Sequence, residues 1–234
     1  KQVNDALVKT QGKMAQFANK TTALGKSLSL KVSLPMTALA GVSIKVFDTQ
    51  IKAETRVAKA RENAGARMLL TQEQILQMAS KLQDKSLYGD EEVLDKVSAR
   101  LLTFKNINAD VFEKTQILIA DYAAQTGSDL SSATEVIGKS INNPIKGLAL
   151  LQRQGVVFTD KQKALVEGLM AVGRTADAQE IIFQQLNNTY KGTAEAMRKV
   201  GLGPFNALMA KLKGDLLEPI GALLLEVLNP DRKS

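Results

Sequence analysis

The chain has 234 residues, 44% of them apolar and only 4% aromatic, carries a formal charge of +7, and contains neither Cys nor His. Without those two residue types it has no disulfides, no thiol nucleophile, no zinc or haem site built on them, and no imidazole base near neutral pH. The length suits one large domain or two small ones, and a core made of Leu, Ile, Val, Ala and Met favours helices.

Residues 1–67 hold 12 Lys/Arg against 4 Asp/Glu, and the remainder holds 19 against 20. The basic character therefore belongs to the N-terminal third, as an arm for an anionic partner or as a solvated lysine face. Phe17 and Phe47 are its only aromatics. That is too few for base stacking, so no specific nucleic-acid partner is expected. Val3, Leu7, Met14 and Phe17 form a thin helical face broken by Gly12 and Gly25. Residues 27–34 read SLSLKVSL, with Leu28, Leu30, Val32 and Leu34 in strict alternation. This is a half-buried strand or a simple extended segment; as a strand it needs a partner, either another copy or another protein.

Pro35 suits the first turn of a long helix that runs to about Gly65. Its apolar start, LPMTALAGVSI, is too short to span a bilayer. Ile44, Phe47 and Ile51 continue one face, and Asp48 with Lys52 makes a favourable i,i+4 pair. From Thr71 the chain turns to short capped helices. Thr71 with Gln74 is a capping box ahead of Ile75, Met78 and Leu82. Asp90, Glu91 and Glu92 mark a helix start, where the dipole favours acids. Asn108 caps a helix whose consecutive Ile117, Leu118 and Ile119 predict a central position. Gly127 ends it, and Ser128 or Asp129 caps the next.

Asn142 and Asn143 are pushed off the helical region by Pro144. Ile145, Leu148 and Leu151 then fit a short helix that Gly155 stops. Val156-Val157-Phe158 is an apolar extended step. Thr159 with Gln162 is a second capping box, followed by Leu165, Val166, Leu169 and Met170 as the expected apolar face. Ala178, Ile181, Ile182 and Leu186 face inward on the following helix, closed by Tyr190 and Gly192. Gly201, Gly203 and Pro204 mark another break. The last stretch is strongly apolar and is expected to be interrupted at Glu218, Pro219 and Glu226. Leu223, Leu224, Leu225, Val227 and Leu228 exceed one buried face and predict a partner, an oligomer seam or a membrane contact.

The expected fold is all-α: a long N-terminal helix plus a compact bundle of short helices, with a short extended segment near residues 27–34. The segments are a basic arm at 1–34, the long helix at 35–70, a helical bundle domain at 71–200 and an apolar C-terminal helical segment at 201–234. The first residue, Lys1, and the polar NPDRKS end suggest part of a longer protein. No nucleotide-binding, metalloprotease, esterase or EF-hand pattern occurs. Asp110, Glu113 and Asp121 share a helix but not one tight face. No enzyme activity, cofactor or metal is expected.

Four blocks in order resemble the tail tape measure proteins of long-tailed phages and prophages. The first is GKSLSLKVSLPMTALAGVSIKVFDTQIKAE, Gly25 to Glu54, in which Pro35 matches, Ser33 stands where Thr is usual and Phe47-Asp48 takes a Phe-Glu place. The second runs from Ala133 to Leu169, with Pro144, Gly147 and Leu151 in a Pro-x-x-Gly-x-x-x-Leu step, then Gly155, Phe158, Thr159 and Gln162. The third, Gly173 to Met197, carries Tyr-x-Gly-x-Ala around Gly192. The fourth, from Gly201, includes KGDLLEPIGALLLEVLNP with Gly221.

The resemblance implies a structural component of the virion. It would occupy the tail tube lumen or the tail tip, with the host cytoplasm as its site during assembly. It would set tail length and assist genome delivery, and would carry no catalytic residues. Implied partners are further copies of the chain, with a trimer favoured, then tail-tube and tail-tip or baseplate proteins and a tail-assembly chaperone. Leu28, Leu30, Val32, Leu34, Leu223, Leu224 and Leu228 are the candidate self-association residues. The alternative is a membrane-active segment that forms a channel for DNA entry, through a transient contact of the apolar runs with the host membrane.

Overall fold

The computed structural model describes residues 36–228. Among them every regular element is helical and no strand occurs, so the fold is all-α. The basic arm, the alternating Leu28, Leu30, Val32 and Leu34, and Pro35 lie outside the described residues. The chain forms two compact units, one from residues 53–207 and one from residues 1–52 with 208–234. The first division falls within the long helix.

That helix, α1 (Met36–Ala64), is followed by a single 3-10 turn, Gly65–Arg67, with Gly65 at φ +58°. Arg61 donates to the Leu70 carbonyl at 2.6 Å and ties down the connection. In the larger unit α1 contributes Ala53, Val57 and Ala64 to the core. Next comes α2 (Gln72–Lys85), opened by the capping box read from the sequence: Gln74 N–H donates to Thr71 Oγ1 and Thr71 N–H to Gln74 Oε1. It buries Ile75, Ala79 and Leu82, while Met78 is only half-buried.

Helix α3 begins with Asp90–Val93, widens into a π-helical turn over Leu94–Ser98 and ends with Ala99–Leu101. A π turn displaces a backbone carbonyl from its usual donor. Here the Ser98 hydroxyl donates to the Val93 carbonyl at 3.2 Å, and Gln116 Nε2 donates to Ser98 Oγ at 2.7 Å. The turn is thus pinned by α4 (Ala109–Thr126), the helix that packs against α3.

Asn108 caps α4, and Gly127 ends it in the left-handed region at φ +69°. It is central, as the Ile117-Leu118-Ile119 run predicts: Phe112, Leu118, Ile119 and Ala123 are all buried. Ile117 points the other way and is 46% exposed, because adjacent helical residues sit about 100° apart. Around α4 are packed α5 (Leu130–Asn142), capped by Asp129, α8 (Thr175–Tyr190) and α9 (Thr193–Arg198). Two further helices, α6 (Pro144–Arg153) on α5 and α7 (Asp160–Ala171) on α8, complete the bundle.

The C-terminal stretch differs from its expected interruption. Helix α10 (Gly203–Leu212) passes through a second π turn, Lys213–Leu217, directly into α11 (Glu218–Leu228). Proline lacks an N–H, and its ring collides with the carbonyl four residues back. For Pro219 that carbonyl is Asp215, inside the wider π turn, so the chain accommodates the proline without breaking.

Candidate functional site

The sequence-predicted motif residues assemble into helix junctions. Asn143 closes α5 and opens α6: its N–H donates to the Lys139 carbonyl and its Oδ1 accepts from Lys146 N–H. Its extended backbone is what a residue before proline requires, and Pro144 takes the first helical position. A Cβ on Gly147 would stand 2.5 Å from the Ser140 carbonyl oxygen and 2.7 Å from Ser140 Cα. The α5 and α6 backbones therefore touch at this glycine. Leu151 is fully buried one turn later.

Gly155, at φ +83°, stops α6, and Val156 N–H closes back on the Leu151 carbonyl at 3.0 Å. Val156 and Phe158 then point into the core, and Val157 between them is 75% exposed, as in a two-residue repeat. The Thr159–Gln162 capping box forms in both directions. Gln162 also donates to Gln185 on α8 at 3.2 Å.

The expected apolar face of α7 requires correction. Val166 is its one fully buried residue, Leu169 and Met170 are half-buried, and Leu165 is 54% exposed. Helix α7 lies on the bundle through one narrow stripe, and Leu165 falls outside it. Ile145 on α6 is likewise exposed rather than inward.

Gly192 adopts φ +80° at the entrance to α9. Its N–H donates to Asp121 Oδ2 at 2.9 Å, and Ala194 N–H donates to Asp121 Oδ1 at 2.9 Å. Asp121 is only 4% exposed, so a buried carboxylate on α4 caps a helix distant in sequence. Tyr122 beside it meets Tyr190 edge-on, with ring centroids 5.2 Å apart. In the smaller unit Gly221 lies flat on α1. A Cβ there would overlap the Ser43 carbonyl and stand 2.7 Å from Phe47 Cβ. Leu223 and Leu224 are half-buried on the same helix, which ends at Leu228.

Sequence reading missed a polar clamp. Asn106 N–H donates to Asn142 Oδ1, Asn106 Nδ2 to the Asn142 carbonyl, and Gln179 Nε2 to the carbonyls of Asn106 and Ile141. These partners are far apart in the chain and leave no local pattern.

A cleft of 230 Å³ opens between α2, α4 and the Lys191–Glu195 segment. Met78, Lys81, Leu82 and Lys85 line it from α2 at helical spacing, and Glu113, Gln116, Ile117 and Asp121 from α4. Lys191, Gly192, Ala194 and Glu195 complete it. Gln116 is buried, and its amide oxygen has no hydrogen-bond partner. Nearby, burial and the Glu91 charge raise the Asp90 carboxyl to about 6, against the helix N-terminus, which favours its ionised form. Burial, aided by Glu92, pushes the Tyr88 phenol up to about 12. On the opposite sign, Arg100 and Lys139 hold Glu135 below the usual carboxylate range.

Among the described residues no cluster of three or more acidic side chains could hold a metal ion. No helix among them is long and apolar enough to cross a membrane. The fold and its junctions define an all-α bundle of short capped helices. No protein family, curated protein or solved structure matches the chain.

Proposed function

We propose that this chain is a structural segment of a tape measure protein of a long-tailed phage or prophage. The observation that carries the reading is the order of the four sequence blocks, from Gly25 through Pro144, Gly192 and Gly221. It gains support from the places those residues occupy. Gly147 and Gly221 stand where helix backbones meet, and Pro144, Gly155, Thr159 and Gly192 stand at helix ends. Such positions carry architecture rather than chemistry.

An α-helix advances about 1.5 Å per residue, so extended helical regions of the parent protein would act as the ruler. The short helices of residues 71–200 form instead a compact body attached to it. Its partners are copies of the same chain, as a trimer, and tail-tube, tail-tip and chaperone proteins. In-frame deletions in flanking helical regions of the full-length protein shorten the tail in proportion, as measured by electron microscopy. Deletions within 71–200 block assembly or delivery instead. Tails of unchanged length after the flanking deletions would defeat the ruler assignment.

A further inference from the structure

The cleft between α2 and α4 combines an apolar floor with a basic rim. Met78 from α2 and the exposed Ile117 from α4 face the opening, while Lys81, Lys85 and Lys191 surround it. None of these lysines pairs with a described carboxylate within 4.0 Å. The acids of the lining are mostly engaged: Asp121 accepts two backbone N–H groups, and Glu195 is held by Lys199 at 2.6 Å, with Lys85 acting on it from farther away. Glu113 alone lies opposite the lysines without a described partner. An excess of positive charge therefore rings an apolar surface.

We infer that this cleft is a docking site for a peptide segment of a partner protein, one that presents an apolar side chain flanked by Asp or Glu. The volume decides between a whole small molecule and a side chain. Pockets for drug-sized ligands run to roughly 300–1,000 Å³. At 230 Å³ the cleft holds one or two side chains. Charge complementarity decides the rest: acidic groups beside the inserted side chain meet the three lysines, as acidic motifs meet basic clusters elsewhere. Gln116 offers an amide oxygen still lacking a donor, which a backbone N–H of the peptide would supply. The inference stands on this geometry and holds whether or not the tape measure reading is right.

The test is a fluorescence-anisotropy titration of the whole chain with a labelled twelve-residue peptide of Leu and Glu at helical spacing. The same peptide with Lys for Glu is the control. The acidic peptide binds, the basic one does not, and the combined K81A/K85A/K191A variant weakens binding at least tenfold. Ile117→Ser weakens it about fivefold while circular dichroism stays unchanged, because the side chain is already exposed. Lys146→Ala, on α6 and outside the cleft, leaves it unaltered. Equal loss from Lys146→Ala would reveal diffuse charge attraction and overturn the proposal. So would an absence of binding, insensitivity to Ile117→Ser, or capture of the chain by phosphatidylglycerol vesicles in preference to the peptide.

Discussion

The carboxylate of Asp121, buried in the middle of α4, accepts the backbone N–H of Gly192, 71 residues further along the chain. With its second bond to Ala194 N–H it supplies the N-terminal cap that α9 lacks in its own sequence. Hydrogen bonds to a charged group contribute about 1.5–3 kcal/mol each, and a buried donor left alone costs a further desolvation penalty. Asp121→Ala is expected to lower stability by about 3 kcal/mol, read as a lower urea midpoint. Asp121→Asn retains one acceptor and is expected to cost about half as much. A midpoint unchanged in both variants would show that the cap contributes nothing.

Two helical glycines are expected to respond to the same substitution with opposite signs. Replacing Gly by Ala inside a helix ordinarily gains up to about 1 kcal/mol. Gly168 on α7 has open space where its Cβ would stand, so Gly168→Ala raises the denaturation midpoint. At Gly147 the new methyl would meet the Ser140 backbone, which cannot swing aside as a side chain can. Gly147→Ala is expected to cost about 1–3 kcal/mol through overpacking. Urea melts of the pair settle the matter.

On α7 the neighbours Val166 and Leu165 separate burial from mere apolarity. Val166→Ala removes a fully buried side chain from the seam with α8 and is expected to cost about 2 kcal/mol. Leu165→Ser, on the exposed side, is expected to stay within about 0.5 kcal/mol. A large loss from the serine variant would mean that a partner covers this face under the conditions of measurement.

Asp90 predicts a pH dependence of defined sign. Its folded-state carboxyl is raised from 3.8 to about 6 by burial and by Glu91. The folded chain therefore binds this proton more tightly than the unfolded chain. The stabilisation is complete below 3.8 and is lost as pH rises through about 6. Asp90→Asn removes the titration, so the variant is the more stable form at pH 7, and its advantage fades toward pH 4. Full conversion of the shift gives about 3 kcal/mol. Partial exposure and solvent screening reduce the expected gain to about 1 kcal/mol. Thermal melts at pH 4, 5, 6 and 7 test it.

Local signals carried much of the fold. Thr71, Asn108, Asp129 and Thr159 cap helices through atoms within three residues, and Gly127 and Gly155 stop them through their own backbone angles. Periodicity identified α4 as central because its apolar arc is wide. It misplaced Leu165 and Ile145, since a helix on the outside of a bundle buries only the stripe that meets a neighbour. The Asp121 cap, the Asn106–Asn142–Gln179 clamp and the cleft above Gln116 join residues that only folding brings together. Pro219 suggested a break because the sequence gives no sign that the preceding turn widens.

That widened turn, Lys213–Leu217, also sets the phase of everything after it. A π turn holds one residue more than the α-helical path it replaces, and each residue turns a helix by about 100°. Deleting Gly214 would let the turn relax to α-helix and rotate α11 about its own axis. Gly221 would leave the Ser43 carbonyl, and a residue with a side chain would arrive in its place. The extra residue works as a dial on the helix: it selects which of the small and large side chains of α11 meets α1, without altering the composition of either.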